Sequence, residues 1–195
     1  MPTGVRLSAV EPVAAMRTRL AQKLPVAQIL DGTAEAIPLP DHLLDALTAA
    51  QAFHWFDAQR AATEIARVLK AGGGLGLLWN RRDESLDWVQ NVTDIIDQHQ
   101  GDAPRYKTSR WREAFAGHSA FTEFTRREFP HAQSGPRESI IARVLSISFI
   151  AALPEAARQA VAKQVAQLLA EHPQTRDQEI VTLPYQYAVF TCLRR

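Results

Sequence analysis

Cysteine is almost absent from this chain. Of its 195 residues only Cys192 carries a thiol, so no disulfide can close within it and no cysteine cluster can hold a metal. Cys192 lies in an apolar strand pattern near the end, which is the setting of a buried, unreactive thiol. Long hydrophobic runs are missing as well. No stretch reaches the ~18 apolar residues that cross a bilayer, and the first residues lack the apolar core of a signal peptide. No membrane association is expected, and a cytoplasmic location follows. Charge of one sign is scarce: 22 basic residues face 21 acidic ones, for a net +1. Such a balance demands no acidic partner. His99, His118, His131 and His172 are scattered without metal-ligand spacing, so no metal site is expected. Ser146 and Ser148 stand in a helical pattern without a nucleophile elbow, which leaves hydrolase chemistry unsupported.

What is present suits one globular domain over residues 1–195, with 46% hydrophobic residues and a length that buries roughly 70% of the unfolded surface. The strongest local pattern runs from Leu43 to Asn80. Leu44 to Ala50 reads as a strand covered on both faces. Asp57 is placed to cap a helix with Ala62, Ile65, Ala66 and Leu69 on one side. Lys70 fits its last turn, Gly72 a left-handed stop, and Leu75 to Trp79 a second strand. Two apolar strands joined by a helix imply a parallel pair.

Around this unit, Val5 to Val10 and Val26 to Leu30 read as strands. Pro12 opens a helix carrying Val13, Met16 and Leu20, and residues 34–42 form a loop with Pro38 and Pro40. Later helices carry Leu86, Val89, Thr93 and Ile96, then Ile140, Ile141, Val144, Leu145 and Ser148, then Val161, Val165, Leu168 and Leu169. Phe121 to Phe129 and Ile180 to Leu193 read as strands. The order describes an α/β domain with a mostly parallel sheet. Residues 100–136 read as a lid or connecting segment. Within it Arg105, Lys107, Arg110 and Arg112 alternate with Tyr106 and Trp111. On a nearly neutral domain this reads as a solvated face, with an anionic acceptor as the alternative, and no nucleic acid is expected as a partner.

Several segments in order resemble a known family. They are Ala9-Val10-Glu11-Pro12, then Asp31-Gly32-Thr33-Ala34-Glu35 with Ile37-Pro38, then Gln51-Ala52-Phe53-His54-Trp55-Phe56, and Arg67-Val68-Leu69-Lys70-Ala71-Gly72-Gly73 with Trp79-Asn80. Together they look like a class I S-adenosylmethionine-dependent methyltransferase of the small-molecule type, closest to the bacterial branch with His-Trp-Phe after the fourth strand. The resemblance implies a three-layer Rossmann-like sheet, mostly parallel, with an antiparallel C-terminal strand and S-adenosylmethionine as cofactor.

Residue by residue, it implies that Glu11 accepts from the ribose hydroxyls, that Thr33, Ala34 and Glu35 lie at the adenine, and that Ala50 and Gln51 lie at the amino-acid end. His54, Trp55 and Arg110 would face a small-molecule acceptor, whose choice residues 100–136 would shape. His54 is also the one candidate base, although methyl transfer needs mainly alignment. Trp55 and Phe56 read as core aromatics bracing the loop.

The pattern departs from the family at one place. The family's first strand, with its acidic-Gly-x-Gly-x-Gly turn, belongs before Glu11 and in the middle of the sheet, and it is missing here. Gly72-Gly73-Gly74-Leu75-Gly76 follows a helix rather than a strand, so it is a turn and not a cofactor loop. The natural protein either extends upstream or is a truncated scaffold whose cofactor binding is weakened or lost. The second and fourth strands would then pair directly, or two chains would exchange strands as a homodimer.

Overall fold

Asp57 caps a helix as its position suggests, its carboxylate accepting from Arg60 N at 3.2 Å. The computed structural model describes residues 4–102 and 110–195. Its elements, in chain order, are β1 (Ser8–Val10), α1 (Ala14–Lys23), β2 (Gln28–Leu30), β3 (Leu44–Ala50), a 3-10 turn (Phe53–Trp55), α2 (Ala58–Val68) and β4 (Leu69–Arg82). There follow α3 (Asp87–Asp97), α4 (Arg110–Glu113), β5 (Thr125–Gly135), α5 (Arg137–Leu145), α6 (Ser148–Ala151), α7 (Glu155–Glu171) and β6 (Val181–Leu193). This is the α/β order expected. No described helix is long and apolar enough to cross a membrane.

The strands form two sheets. β1 and β2 pair in parallel as one, and the other has the order β3-β4-β6-β5. β3 is parallel to β4, as two strands joined by a crossover helix should be. β6 runs antiparallel to β4: Gly72 N bonds the Arg194 carbonyl at 2.8 Å, while Asp83 N bonds that of Pro184 at 3.0 Å. β5 in turn lies antiparallel beside β6, with Thr122 N on the Leu193 carbonyl and the Ser134 and Thr182 hydroxyls 2.8 Å apart.

Six local expectations need correction. α2 ends at Val68, so Lys70 is in strand β4 rather than in the last helical turn. The glycines make a bulge inside that strand: Leu44 pairs with Leu69 and Ala46 with Gly74, so the four residues 70–73 stand opposite Asp45 alone. Gly72 adopts φ 75°, and a Cβ on Gly73 would lie 2.8 Å from the Lys70 carbonyl. The strand placed at Phe121 to Phe129 instead spans Thr125–Gly135, and the helix expected to reach Ser148 stops at Leu145. β3 is not covered on both faces, because Asp45, Ala46, Thr48 and Ala50 are exposed. β1 and β2 are three residues each, shorter than their apolar runs.

The chain divides into two compact units. The first holds the described residues of Met1–Leu78, Arg105–Arg126 and Phe190–Arg195. Its core joins Ala61, Ala62, Ile65 and Val68 of α2 to Leu75 and Leu77 of β4. An aromatic cluster belongs to the same unit: Phe53, Phe56, Trp111, Phe115, Phe121, Phe124 and Phe190 meet in pairs with ring centroids 4.9–5.6 Å apart. The second unit, Trp79–Pro104 and Arg127–Val189, buries one stripe from each of three helices. Val89, Val92 and Ile96 of α3, Ile140 and Val144 of α5, and Val161, Val165 and Leu169 of α7 close over Val181, Leu183 and Tyr185 of β6. The 3.6-residue spacing of these residues explains why their stripes were legible. α1 differs, because none of its residues is buried.

Candidate functional site

The residues of interest lie just past the carboxyl ends of β1, β2 and β3, in the first unit. Parallel α/β sheets present their ligand-binding loops at such ends. Glu11 follows β1, and its Oε1 accepts from Val13 N at 2.8 Å, closing the entry to α1. Arg17 of α1 then ties two strand ends together. Its Nη1 donates to the carbonyls of Glu11 and Pro12 at 2.9 and 2.7 Å, and its Nη2 pairs with Asp31 at 2.9 Å. No sequence signal singled out Arg17, although its place one turn into a helix after a strand-ending acid was a usable clue.

Thr33, Ala34 and Glu35 make a tight turn after β2, closed by Ala36 N on the Thr33 carbonyl at 3.3 Å. Gly32 is required there, since a Cβ would sit 2.7 Å from the Pro38 ring and 3.1 Å from the Ala36 carbonyl. Glu35 reaches across and accepts from Asp57 N at 2.9 Å, at the start of α2.

A second clip holds the far end of the same loop. Glu64 of α2 accepts from Ile37 N at 2.8 Å. Arg67 grips Glu64 through Nε and Nη2, Asp41 at 2.6 Å, and the carbonyls of Leu39 and Ile37, each at 2.9 Å. The Arg67 hydrogen bonds hold the Glu64 carboxyl below its usual range, outweighing the partial burial that opposes them. The same carboxylates raise the Arg67 pKa. Residues 35–41 therefore run along α2 in the helix's own direction. The carboxyl end of β2 and that of β3 thus fall at one end of the unit, and the loop is rigidly preset.

Ala50 closes β3 exposed, and Gln51 follows it with φ 54° and its N–H on the Leu78 carbonyl at 2.9 Å. A left-handed glutamine is strained, and such strain concentrates where backbone geometry serves a function. The 3-10 turn then divides its aromatics. Phe53 is 1% exposed and anchors the cluster, whereas Trp55 is 52% exposed with its ring 5.4 Å from that of His54. The expectation of Trp55 as a core aromatic is therefore overturned; Phe53 takes that role. Arg110 opens α4, which packs beside the 3-10 turn. Arg105 and Lys107 lie outside the described residues. Arg112 stacks over the rings of Trp111 and Phe190 at 4.8 and 5.1 Å, a structural role rather than a phosphate contact.

The clips join Glu11 to Asp31 through Arg17, and Glu35 to Asp57 directly. Half-buried carboxylate, backbone turn and open aromatic suit a ligand with hydroxyls, a flat polar ring and an adjoining second molecule. These are the groups an adenosine cofactor and its acceptor offer, and the residues at these strand ends fit them.

Comparison with known proteins agrees. A family model of the methyltransferase domain matches residues 2–77. An uncharacterized methyltransferase of Mycobacterium tuberculosis is 38% identical over 191 residues, 98% of this chain and 74% of that one. An uncharacterized methyltransferase-like protein of Schizosaccharomyces pombe is 35% identical over 88% of this chain and 67% of its own. Among solved structures, a candidate type II methyltransferase from Anaeromyxobacter dehalogenans superposes with a TM-score of 0.64 at 21% identity, over 97% of this chain and 80% of that one.

Proposed function

Because the chain belongs to the class I S-adenosylmethionine-dependent methyltransferases, we propose that it takes part in methyl transfer from S-adenosylmethionine to a small-molecule acceptor. The observation that carries the reading is the grouping of candidate residues behind the ends of β1, β2 and β3, with the β2–β3 loop clipped to α2 at both of its ends. S-adenosylmethionine, when bound, supplies a methyl group on a sulfonium, a good leaving group that needs no activation by the protein.

The chain's residues bind and align. Glu11 is the acceptor for two vicinal ribose hydroxyls, which a carboxylate can serve at once. The Thr33-Ala34-Glu35 turn offers backbone groups to the adenine edge, and Ala50 with Gln51 marks the amino-acid end. Trp55 gives an exposed ring and His54 a titratable group to the acceptor. Alignment of this kind is worth roughly 7–11 kcal/mol in a displacement, so His54 need only orient, or accept a proton where the acceptor loses one.

The test is equilibrium binding of S-adenosylhomocysteine to the wild-type chain and to Glu11→Ala. A single site is expected, weakened about tenfold or more in the variant, since hydrogen bonds to a charged acceptor contribute ~1.5–3 kcal/mol. Equal affinity in both proteins would remove Glu11 from the site.

One observation favours a second reading, a methyltransferase-like scaffold without catalysis: β3, which a complete sheet would cover, is largely exposed. A folded chain that binds no S-adenosylhomocysteine would decide for it.

A further inference from the structure

Glu35 joins two segments that the proposed reaction uses together. Its backbone ends the Thr33-Ala34-Glu35 turn, and its carboxylate reaches a residue 22 positions on, where Oε1 accepts from Asp57 N at 2.9 Å. Asp57 is the N-cap of α2, with its own carboxylate on Arg60 N at 3.2 Å. The 3-10 turn that carries His54 and Trp55 is capped by Phe56, the residue before Asp57. A single carboxylate therefore ties the end of the aromatic turn to the turn that offers its backbone to adenine. Both turns belong to the first compact unit.

The aromatic turn lies between two fixed points. Gln51 holds its start, with its N–H on the Leu78 carbonyl at 2.9 Å, and Glu35 holds its end. Phe53 is buried beneath it, whereas Trp55 is open. Within the turn the backbone bonds are local: Trp55 N on the Ala52 carbonyl at 2.9 Å and Phe56 N on that of Phe53 at 3.2 Å. The adenine turn is firmer. Ala36 N closes it on the Thr33 carbonyl, and Glu64 with Arg67 holds Ile37 and Leu39 to α2. A short 3-10 turn with two local bonds opens more readily than its surroundings. A ligand that steadies residues 33–35 steadies the end of that turn through Glu35.

We propose that Glu35 is a positioning residue that couples cofactor to acceptor. S-adenosylmethionine bound at the 33–35 turn fixes the His54–Trp55 segment through the Glu35–Asp57 bond, so the acceptor binds more tightly once the cofactor is in place. Linkage makes the effect reciprocal, and an acceptor at Trp55 tightens the cofactor by the same factor. The proposal rests on cofactor binding at that turn, and its test keeps the two claims apart.

The experiment follows amide hydrogen exchange by NMR, with and without saturating S-adenosylhomocysteine. In the wild-type chain the ligand should slow exchange at Trp55 and Phe56 about tenfold or more. Glu35→Ala should lose that slowing. It should still bind the ligand within about tenfold of wild type, since one hydrogen bond is removed and the backbone of the turn stays. The buried β4 amides of Leu75 and Leu77, which open with the whole fold, report that binding in every variant. Glu35→Gln keeps an oxygen that accepts from Asp57 N and should restore the slowing at Trp55 and Phe56. The proposal is overturned if these two amides slow equally in Glu35→Ala, or stay unchanged in a wild-type chain whose β4 amides slow. It is overturned equally if Glu35→Gln behaves as the alanine variant does. Loss of all slowing in Glu35→Ala alone would make Glu35 a direct ligand and overturn the coupling too. A wild-type chain in which no amide slows contradicts the cofactor reading itself, and the coupling falls with it.

Discussion

Truncating Phe53 and Trp55 separates structure from function within one short motif. Phe53 is fully buried, with its ring 5.3 Å from Phe56 and 5.5 Å from Phe115. Phe53→Ala removes that contact area and leaves a cavity, which together cost about 3–5 kcal/mol. Ring pairing of this geometry accounts for roughly 0.5–1.5 kcal/mol per pair within that loss. For a chain of this size each kcal/mol moves the melting midpoint by ~2–4 °C, so the variant should melt roughly 6–20 °C lower. Trp55, with half its surface in solvent, should change stability by no more than about 0.5 kcal/mol when replaced by alanine. Trp55→Ala should instead weaken whatever acceptor the protein takes. The assay is a circular-dichroism melt of both variants beside the wild type. Equal losses of midpoint would refute the division, because they would place Trp55 in the core where the sequence pattern alone had put it.

Further outcomes follow from the same geometry. Gly32→Ala should destabilise by about 1–3 kcal/mol in a urea titration, because its Cβ would press into Pro38 and the Ala36 carbonyl. Gln51→Gly should hold or raise stability by up to about 1 kcal/mol, since it relieves a left-handed side-chain residue, while weakening S-adenosylhomocysteine binding; a clear loss of stability would show that Gln51 is not strained. Burial pushes the Cys192 thiol up to about 11, so the folded chain keeps a proton that the unfolded chain loses nearer its ordinary value. Stability from that site is complete below the ordinary thiol range and falls as pH rises toward 11, and melts of Cys192→Ala should show a shallower alkaline decline. Glu64 behaves in the opposite sense: its depressed carboxyl gives stability above the ordinary carboxylate range that is lost as pH falls through the depressed value. Glu64→Gln should flatten the acid limb of a pH–midpoint curve.

Legibility in the sequence followed how local each cause was. The cap at Asp57 and the stripe of α2 depend on neighbours within a few residues, and the parallel β3–β4 pair on the single helix that joins its strands; all were readable. The stripes of α3, α5 and α7 were readable for the same reason. Boundaries failed where a glycine served two purposes. Gly72 ends helices in many chains, but here it turns a bulge inside β4 and the helix stops four residues earlier. The exposure of β3 was invisible because an apolar run reports the company a strand prefers, not whether that company is present. Trp55 was misplaced since the four consecutive rings of Phe53 to Phe56 give no period by which to tell inside from outside.

In the candidate site, Glu11, Thr33 to Glu35, Ala50 and Gln51 could be named from family pattern. Arg17 and Arg67, which tie the loops together over distances of 14 and 26 to 30 residues, could not. Long-range clips of this kind have no signature in a window of sequence.

The central claim is that this chain holds the cofactor end of a methyltransferase site, and a thermal melt with and without S-adenosylhomocysteine tests it most directly. At about 100 times its dissociation constant the ligand would add roughly 2.7 kcal/mol, a midpoint rise of roughly 5–11 °C. A saturable rise of that size, reduced in Glu11→Ala, is the expected result. A cooperatively folded chain whose midpoint stays fixed at every ligand concentration would contradict the account.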